Sequence, residues 1–357
     1  MSDGFTATNS FIKPIHKSFH RPNVNERRII NGSDESDVVQ LSPMKHKFAW
    51  EAYLDANANH WLPTEISMQR DIELWKDPNG LTPDERHVFK RVMGFFTTGD
   101  SIVANNLVLA IYKHITSPEC RMYLLRQAFE EAIHTHSYQY IVESLELDEG
   151  EIFNMYREVD SIMNKDNMLL KFSTGILDPH FSTKTEAGAK QFLENMIGFY
   201  VICEGLFFYT SFAVILSFQR QNKLVGAAEQ IQYIMRDESM HMNFGIDMIN
   251  TIKEENPELW TEELMTKTYA AVDKAVKLEV EFAHDCFPKG ILGINSDLFT
   301  DYMQHIAGRR LERIGLTDVY KKENPFPWMS EAIDISKEKN FFETRVTEYQ
   351  TGGTLDW

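Results

Sequence analysis

Cysteine is scarce in this chain: three in 357 residues, Cys120, Cys203 and Cys286, far apart and without a C-x-x-C pair. Neither a disulfide framework nor a thiolate metal site is encoded, and a reducing, cytoplasmic setting is expected. Basic residues are outnumbered, 36 Lys and Arg against 53 Asp and Glu, for a formal charge of −17. Such a field repels phosphate backbones and anionic lipid, so neither nucleic acid nor a membrane is an expected partner. No G-x-x-x-x-G-K-[ST] loop occurs, so no nucleotide is expected to bind this chain. Residues 1–31 lack the apolar core of a secretory signal.

Long apolar runs are also rare. The one exception is 196–218, interrupted by the single charge of Glu204. Its length would span a bilayer, but a lone carboxylate at mid-membrane is costly and no second span exists. A helix apolar all round is equally expected at the centre of a large helical core. There Glu204 has to be paired, protonated or bound to metal.

What the sequence has in quantity is helical periodicity, and the fold reads as all-α. Thr82-Pro83-Asp84-Glu85 and Ser117-Pro118-Glu119 are helix starts, with Pro at the first position and acids in the first turn. Helices are expected over 82–115, 117–147, 148–162, 186–219, 224–252, 257–286 and 296–316. Four of them are about 30 residues, or roughly 45 Å, long and suit a bundle. The expected partition is an N-terminal extension over 1–45, a helical domain over 46–330 and a C-terminal tail over 331–357.

Glu131-Ala-Ile-His134 and Glu238-Ser-Met-His241 each set a carboxylate and an imidazole one turn apart on one helix face. The motif alone is weak, and a third copy, Glu281-Phe-Ala-His284, reads as surface or structural. Context strengthens the first two. Asp100 sits in an apolar run 31 residues before Glu131, and Glu204 sits in its own run 34 residues before Glu238. The order carboxylate, pair, carboxylate, pair is that of a ferritin-like bundle with a dinuclear metal core. Four carboxylates and two imidazoles suit iron or manganese better than zinc. Such a centre reacts with oxygen, and its surroundings decide where the oxidising power goes. Tyr138 follows His134 by one turn. Phe208 and Phe212 follow Glu204, and Ile234 precedes Glu238, so the three are expected to wall the phenol from water. Tyr123 and Tyr140 are expected to point elsewhere.

On these residues the chain resembles, over roughly 45–357, the small, radical-generating subunit of class I ribonucleotide reductases. The family pattern contains the six ligands, a tyrosine where Tyr138 stands and an acid where Asp237 stands. The resemblance implies a hole-transfer path through His134, Asp237, Trp61 and Tyr349 to a large subunit, with Trp50 and Trp75 as nearby alternatives to Trp61. It also implies a tail over 345–357 that docks on that large subunit, a homodimer, and nucleotide chemistry outside this chain. The segment around Glu130–Tyr138 looks most like the chlamydial-type branch, which typically carries phenylalanine at the tyrosine position and uses manganese and iron. Here the tyrosine is present. Tyr138 is therefore either the radical site of a two-iron or two-manganese cofactor, or a bystander beside a manganese–iron pair. Competing readings are a ferritin-like iron store and a two-metal oxidase or oxygenase acting on a bound small molecule.

Overall fold

Thr82 opens the first long helix with a reciprocal cap. Its hydroxyl accepts the Glu85 N–H at 3.1 Å, and the Glu85 carboxylate accepts the Thr82 N–H at 2.9 Å. Ser117, Asp148, Thr185 and Thr261 cap four further helices in the simpler one-way form. The computed structural model describes residues 23–32, 39–290, 293–294 and 296–329. In chain order its helices are α1 (Lys47–Ala58), α2 (Gln69–Lys76), α3 (Pro83–Asn106), α4 (Pro118–Ser144), α5 (Glu149–Glu158), α6 (Asp160–Thr174), α7 (Glu186–Ile197), α8 (Tyr209–Arg220), α9 (Val225–Glu255), α10 (Glu262–Cys286) and α11 (Ser296–Arg313). Among the described residues the strand-like pairing is one antiparallel bridge, Ile30 to Ile115.

α3, α4, the α7–α8 unit and α9 pack on one another as the four-helix core. Around it, α1 lies on α4 and α9, α2 on α9, α5 and α6 on α3, and α10 against α6 and α11. The most apolar window of Glu186–Arg220 is buried throughout, as a core helix requires.

Three features depart from the expected helices. The run 148–162 divides at Val159, which is extended, and α6 continues to Thr174. α1 and α2 were not foreseen. The third departure is in winding: residues Gly198–Phe207 between α7 and α8 form a π-helix, and a second π turn, Leu107–Ile111, follows α3. A π-helix bonds i to i+5 and leaves carbonyls without the partners of a regular helix. Two cations meet them here. Lys165 Nζ donates to the Phe207 carbonyl at 3.0 Å, and Arg310 Nε donates to the Gly205 carbonyl at 3.2 Å. Lys165 is wholly buried, pairs with buried Glu279 at 2.5 Å, and lies over the rings of Phe95 and Phe282.

α9 starts without a cap of its own, because Leu224 adopts φ 47° and its apolar side chain offers no acceptor. Asp71 of α2 supplies it from outside, accepting the Gly226 and Ala227 N–H groups at 3.1 and 2.7 Å. A Cβ on Gly226 would fall 2.6 Å from the Ser67 carbonyl, so the close approach of α2 depends on that glycine.

Removing one member of a buried ion pair strands the other. Lys165→Met is expected to lower unfolding free energy by about 3–5 kcal/mol, read by denaturant titration. Adding Glu279→Leu to Lys165→Met is expected to recover much of that loss, and failure to recover it would show that Lys165 acts other than through the pair.

Candidate metal centre

Three core helices carry their ligands near mid-length, Glu131 and His134 on α4, Glu204 in the π segment, and Glu238 and His241 on α9, while Asp100 lies in the C-terminal third of α3. All six are buried to 1% exposure or less. They converge as two overlapping groups, Asp100, Glu131, His134 and Glu238, and Glu131, Glu204, Glu238 and His241, with ligand atoms within 4.8 Å in each. Glu131 and Glu238 belong to both, so they are placed to bridge two ions. His134 Nδ1 lies 3.1 Å from Glu238, 3.4 Å from Glu131 and 3.6 Å from Asp100. His241 Nδ1 lies 3.2 Å from Glu131, 3.3 Å from Glu204 and 3.4 Å from Glu238.

The polar atoms at the centre show what the site lacks internally. Asp100 Oδ1, both oxygens of Glu131 and Glu238, Glu204 Oε2, and Nδ1 of His134 and His241 are buried with no hydrogen bond. Burial, reinforced by neighbouring carboxylates, pushes Asp100 and Glu204 well above the usual carboxylate range. Such a cluster is stable only with cations. Two divalent ions would offset four carboxylates, and an O and N donor set suits iron or manganese. The six residues therefore fit a dinuclear centre.

The outward nitrogens of the two histidines follow one rule. His134 Nε2 faces Asp237 at 3.4 Å, and His241 Nε2 faces Glu130 at 2.9 Å. Asp237 and Glu130 each immediately precede the Glu of a Glu-x-x-His pair, and each supports the histidine of the opposite helix. Asp237 was legible in the sequence. Glu130 was overlooked, although the doubled acid before each pair signals it. Arg236 pairs with Asp237 at 2.9 Å and Arg126 with Glu130 at 3.1 Å. Gln127 was also overlooked: it donates to Glu204 at 2.9 Å and accepts from the Tyr200 hydroxyl at 3.2 Å.

Tyr138 donates its hydroxyl to Asp100 at 2.7 Å and is buried. Burial and the Asp100 charge push the phenol well above its usual range. The ring stacking on it is Phe96, 5.2 Å away and 4° from parallel. Phe208 and Phe212 stack on Phe96 in turn, so they back that wall. Ile234 is fully buried. Tyr140 points away, donating to the Ile66 carbonyl. Tyr123 corrects expectation: it is buried with its ring 6.5 Å from that of His241. Trp61 donates its indole N–H to Asp237 at 2.8 Å, whereas Trp50 stacks on Tyr53 and Trp75 lies tilted against Phe89. Glu281 and His284 are exposed on α10. Tyr349 lies outside the described residues.

Four helices that deliver these ligands into a dry centre define a ferritin-like two-metal carboxylate protein. The family model described as ribonucleotide reductase, small chain, matches residues 38–325. The ribonucleoside-diphosphate reductase subunit beta of Chlamydia pneumoniae is 58% identical over 337 residues, 94% of this chain and 97% of that one. A small chain from Plasmodium falciparum isolate Dd2 is 30% identical over 332 residues, 93% of this chain and 88% of that one. The solved R2 subunit from Clostridium botulinum superposes with TM-score 0.78 at 27% identity, covering 86% of this chain and 94% of that one. The chain belongs to the ribonucleotide reductase small chains. Its activity is that of the small subunit of a class I ribonucleoside-diphosphate reductase, which works with a large subunit. The iron-store and oxygenase readings fall away with that assignment.

Glu130→Gln removes the charge that orients His241. It is expected to weaken the ion held by Glu204 and His241 about 10–100-fold and to spare the ion held by Asp100 and His134. Chelator competition with manganese(II) resolves the two, and equal weakening of both would refute the assignment.

Proposed function

We propose that Tyr138 stores the oxidising equivalent and that His134, Asp237 and Trp61 carry it toward the large subunit. The observation that carries this reading is the unbroken contact from the Tyr138 hydroxyl to Asp100, and from His134 through Asp237 to the Trp61 indole. When bound, a pair of iron ions, a manganese and iron pair, or two manganese ions supplies oxidising power from oxygen or a reduced oxygen species. The protein's part is proton and electron placement. Tyr138 can lose an electron cheaply only if its proton leaves in the same event, and the Asp100 carboxylate at 2.7 Å is the acceptor in place. Phe96, backed by Phe208 and Phe212, keeps water from the phenol. Ile234 belongs to the same dry surround. Asp237 accepts from the Trp61 N–H, and Arg236 holds its other oxygen, so the carboxylate stays aimed at both His134 and the indole.

The same reading gives 1–45 as an N-terminal extension, 46–330 as the helical domain, and 331–357 as the tail that docks on the large subunit and delivers Tyr349. It takes the assembly as a homodimer in the cytoplasm. Leu125 and Phe129, one turn apart on α4, are large apolar side chains left exposed and fit such an interface.

A second reading rests on the resemblance to the chlamydial-type branch, to which the 58% identity with the Chlamydia pneumoniae subunit beta adds weight: a manganese–iron pair would hold the equivalent itself, with Tyr138 a bystander. Tyr138→Phe separates the two. Loss of a doublet organic radical in electron paramagnetic resonance together with loss of turnover supports Tyr138 as the store, whereas surviving turnover puts it on the metals. Metal quantification of the same sample identifies the pair. Trp61→Phe is expected to leave the radical formed and stop turnover. Deleting 345–357 is expected to abolish binding to the large subunit, measured by surface plasmon resonance, with the radical signal intact. Tight binding after the deletion would place the docking segment elsewhere.

A further inference from the structure

The last turn of α3 and the π-helical stretch that carries Glu204 meet at one small cavity. α3 loses its regular winding just after Asn106, and the stretch that carries Glu204 begins at Gly198. Between them lies a cavity of about 10 Å³ whose lining includes Val103, Asn106, Leu169, Phe172, Gly198 and Cys203. That is about the space of a single water-sized sphere, room for one water or one diatomic molecule. Half-buried Phe172 stands at its outer rim, and buried Val103 and Cys203 at its inner end.

The inner end abuts the metal-binding carboxylates. Val103 follows Asp100 by one turn and Cys203 immediately precedes Glu204. The Cys203 thiol is fully buried within the field of Glu204, Glu238, Asp100 and Glu131. The lining is apolar apart from that thiol and Asn106, whose buried Oδ1 has no hydrogen-bond partner. Gly198 makes the wall possible. A Cβ there would fall 2.2 Å from the Phe172 ring, so the glycine lets that ring lie directly on the π segment. Local π winding is often kept where function needs it, and here the stretch that carries Glu204 borders this space through Gly198 and Cys203.

We propose that this cavity is the docking site and inner passage for dioxygen on its way to the metal-binding carboxylates. Its lining favours a neutral diatomic over an anion, which would shed its hydration and approach four carboxylates. Superoxide is therefore excluded from this passage. The inference deepens the functional reading above and rests on it for the identity of the oxidant.

Pressurising crystals of the full chain with xenon tests the site without any turnover. Xenon between Val103, Phe172 and Cys203 is the expected result, and an ordered water that xenon does not displace overturns the proposal. Ile102, beside Val103, also lines the cavity; in solution, Ile102→Trp and Leu169→Phe are expected to slow dioxygen uptake by the reduced, metal-loaded protein several-fold at unchanged metal content, while Ile102→Ala does not slow it. Unchanged rates in both filled variants overturn the proposal as well. The functional reading fails separately: if the wild type consumes dioxygen without forming an organic radical, Tyr138 is not the store, and the xenon and rate results still decide the cavity.

Discussion

Four carboxylates buried within 4.8 Å groupings inside an apolar bundle are the constraint to which the rest of the molecule answers. Left without cations, their desolvation costs several kcal/mol per charge, which the Tyr138 hydroxyl, the Gln127 amide and the two imidazoles offset only in part. Two imidazoles cannot balance four acids, and the atoms facing the centre have no hydrogen bonds to fall back on. The bundle is thus built around a charge that comes from outside. Its helices are long and most of their ligands near mid-length because that is where water is farthest away, and where the electrostatics of bound ions are strongest.

Holding such a cluster demands devices that look wasteful elsewhere in the fold. The π winding that carries Glu204 frees carbonyls at Gly205 and Phe207, and the protein answers with Arg310 and a completely buried lysine. That lysine in turn requires Glu279 and the faces of Phe95 and Phe282. Phe95 also packs on Phe96, the ring stacked on Tyr138, and on Phe208 behind it. One local irregularity therefore links the position of a ligand, a buried ion pair and the aromatic wall around the phenol.

The ligands were legible in the sequence because charge in an apolar run is conspicuous and because their order repeats. Helix starts were legible for the same chemical reason: Thr82, Ser117 and Thr185 use hydroxyls that only a cap explains. The π segments were not. Over Gly198–Phe207 every residue but Glu204 is apolar or small, so a change in residues per turn leaves no periodic mark. α1 and α2 were missed because they are short and draw their stability from α4 and α9, which sequence periodicity does not register. Phe96 was visible as an apolar residue, yet nothing local distinguishes it from Phe95, and only packing decides which ring meets Tyr138. The tail with Tyr349 remains a reading of sequence alone.

The near-symmetry of the centre makes its asymmetry informative. Glu130 and Asp237 occupy equivalent positions and support opposite histidines, yet what lies beyond them differs. Glu130 ends on Arg126, whose guanidinium turns to the Ala56 carbonyl and has no oxidisable ring in the chain of hydrogen bonds. Asp237 continues to Trp61, which stacks on Tyr233 at 5.3 Å. Tyr123 does lie beside His241, but its hydroxyl has no hydrogen-bond partner to take a proton, and burial holds the phenol well above its usual range. Oxidising it would leave a charged phenol radical in an apolar site, which is strongly uphill. Of two histidines in matching surroundings, only His134 is joined by hydrogen bonds to an aromatic ring that can surrender an electron with its proton already engaged, which is what the proposed path through Trp61 requires.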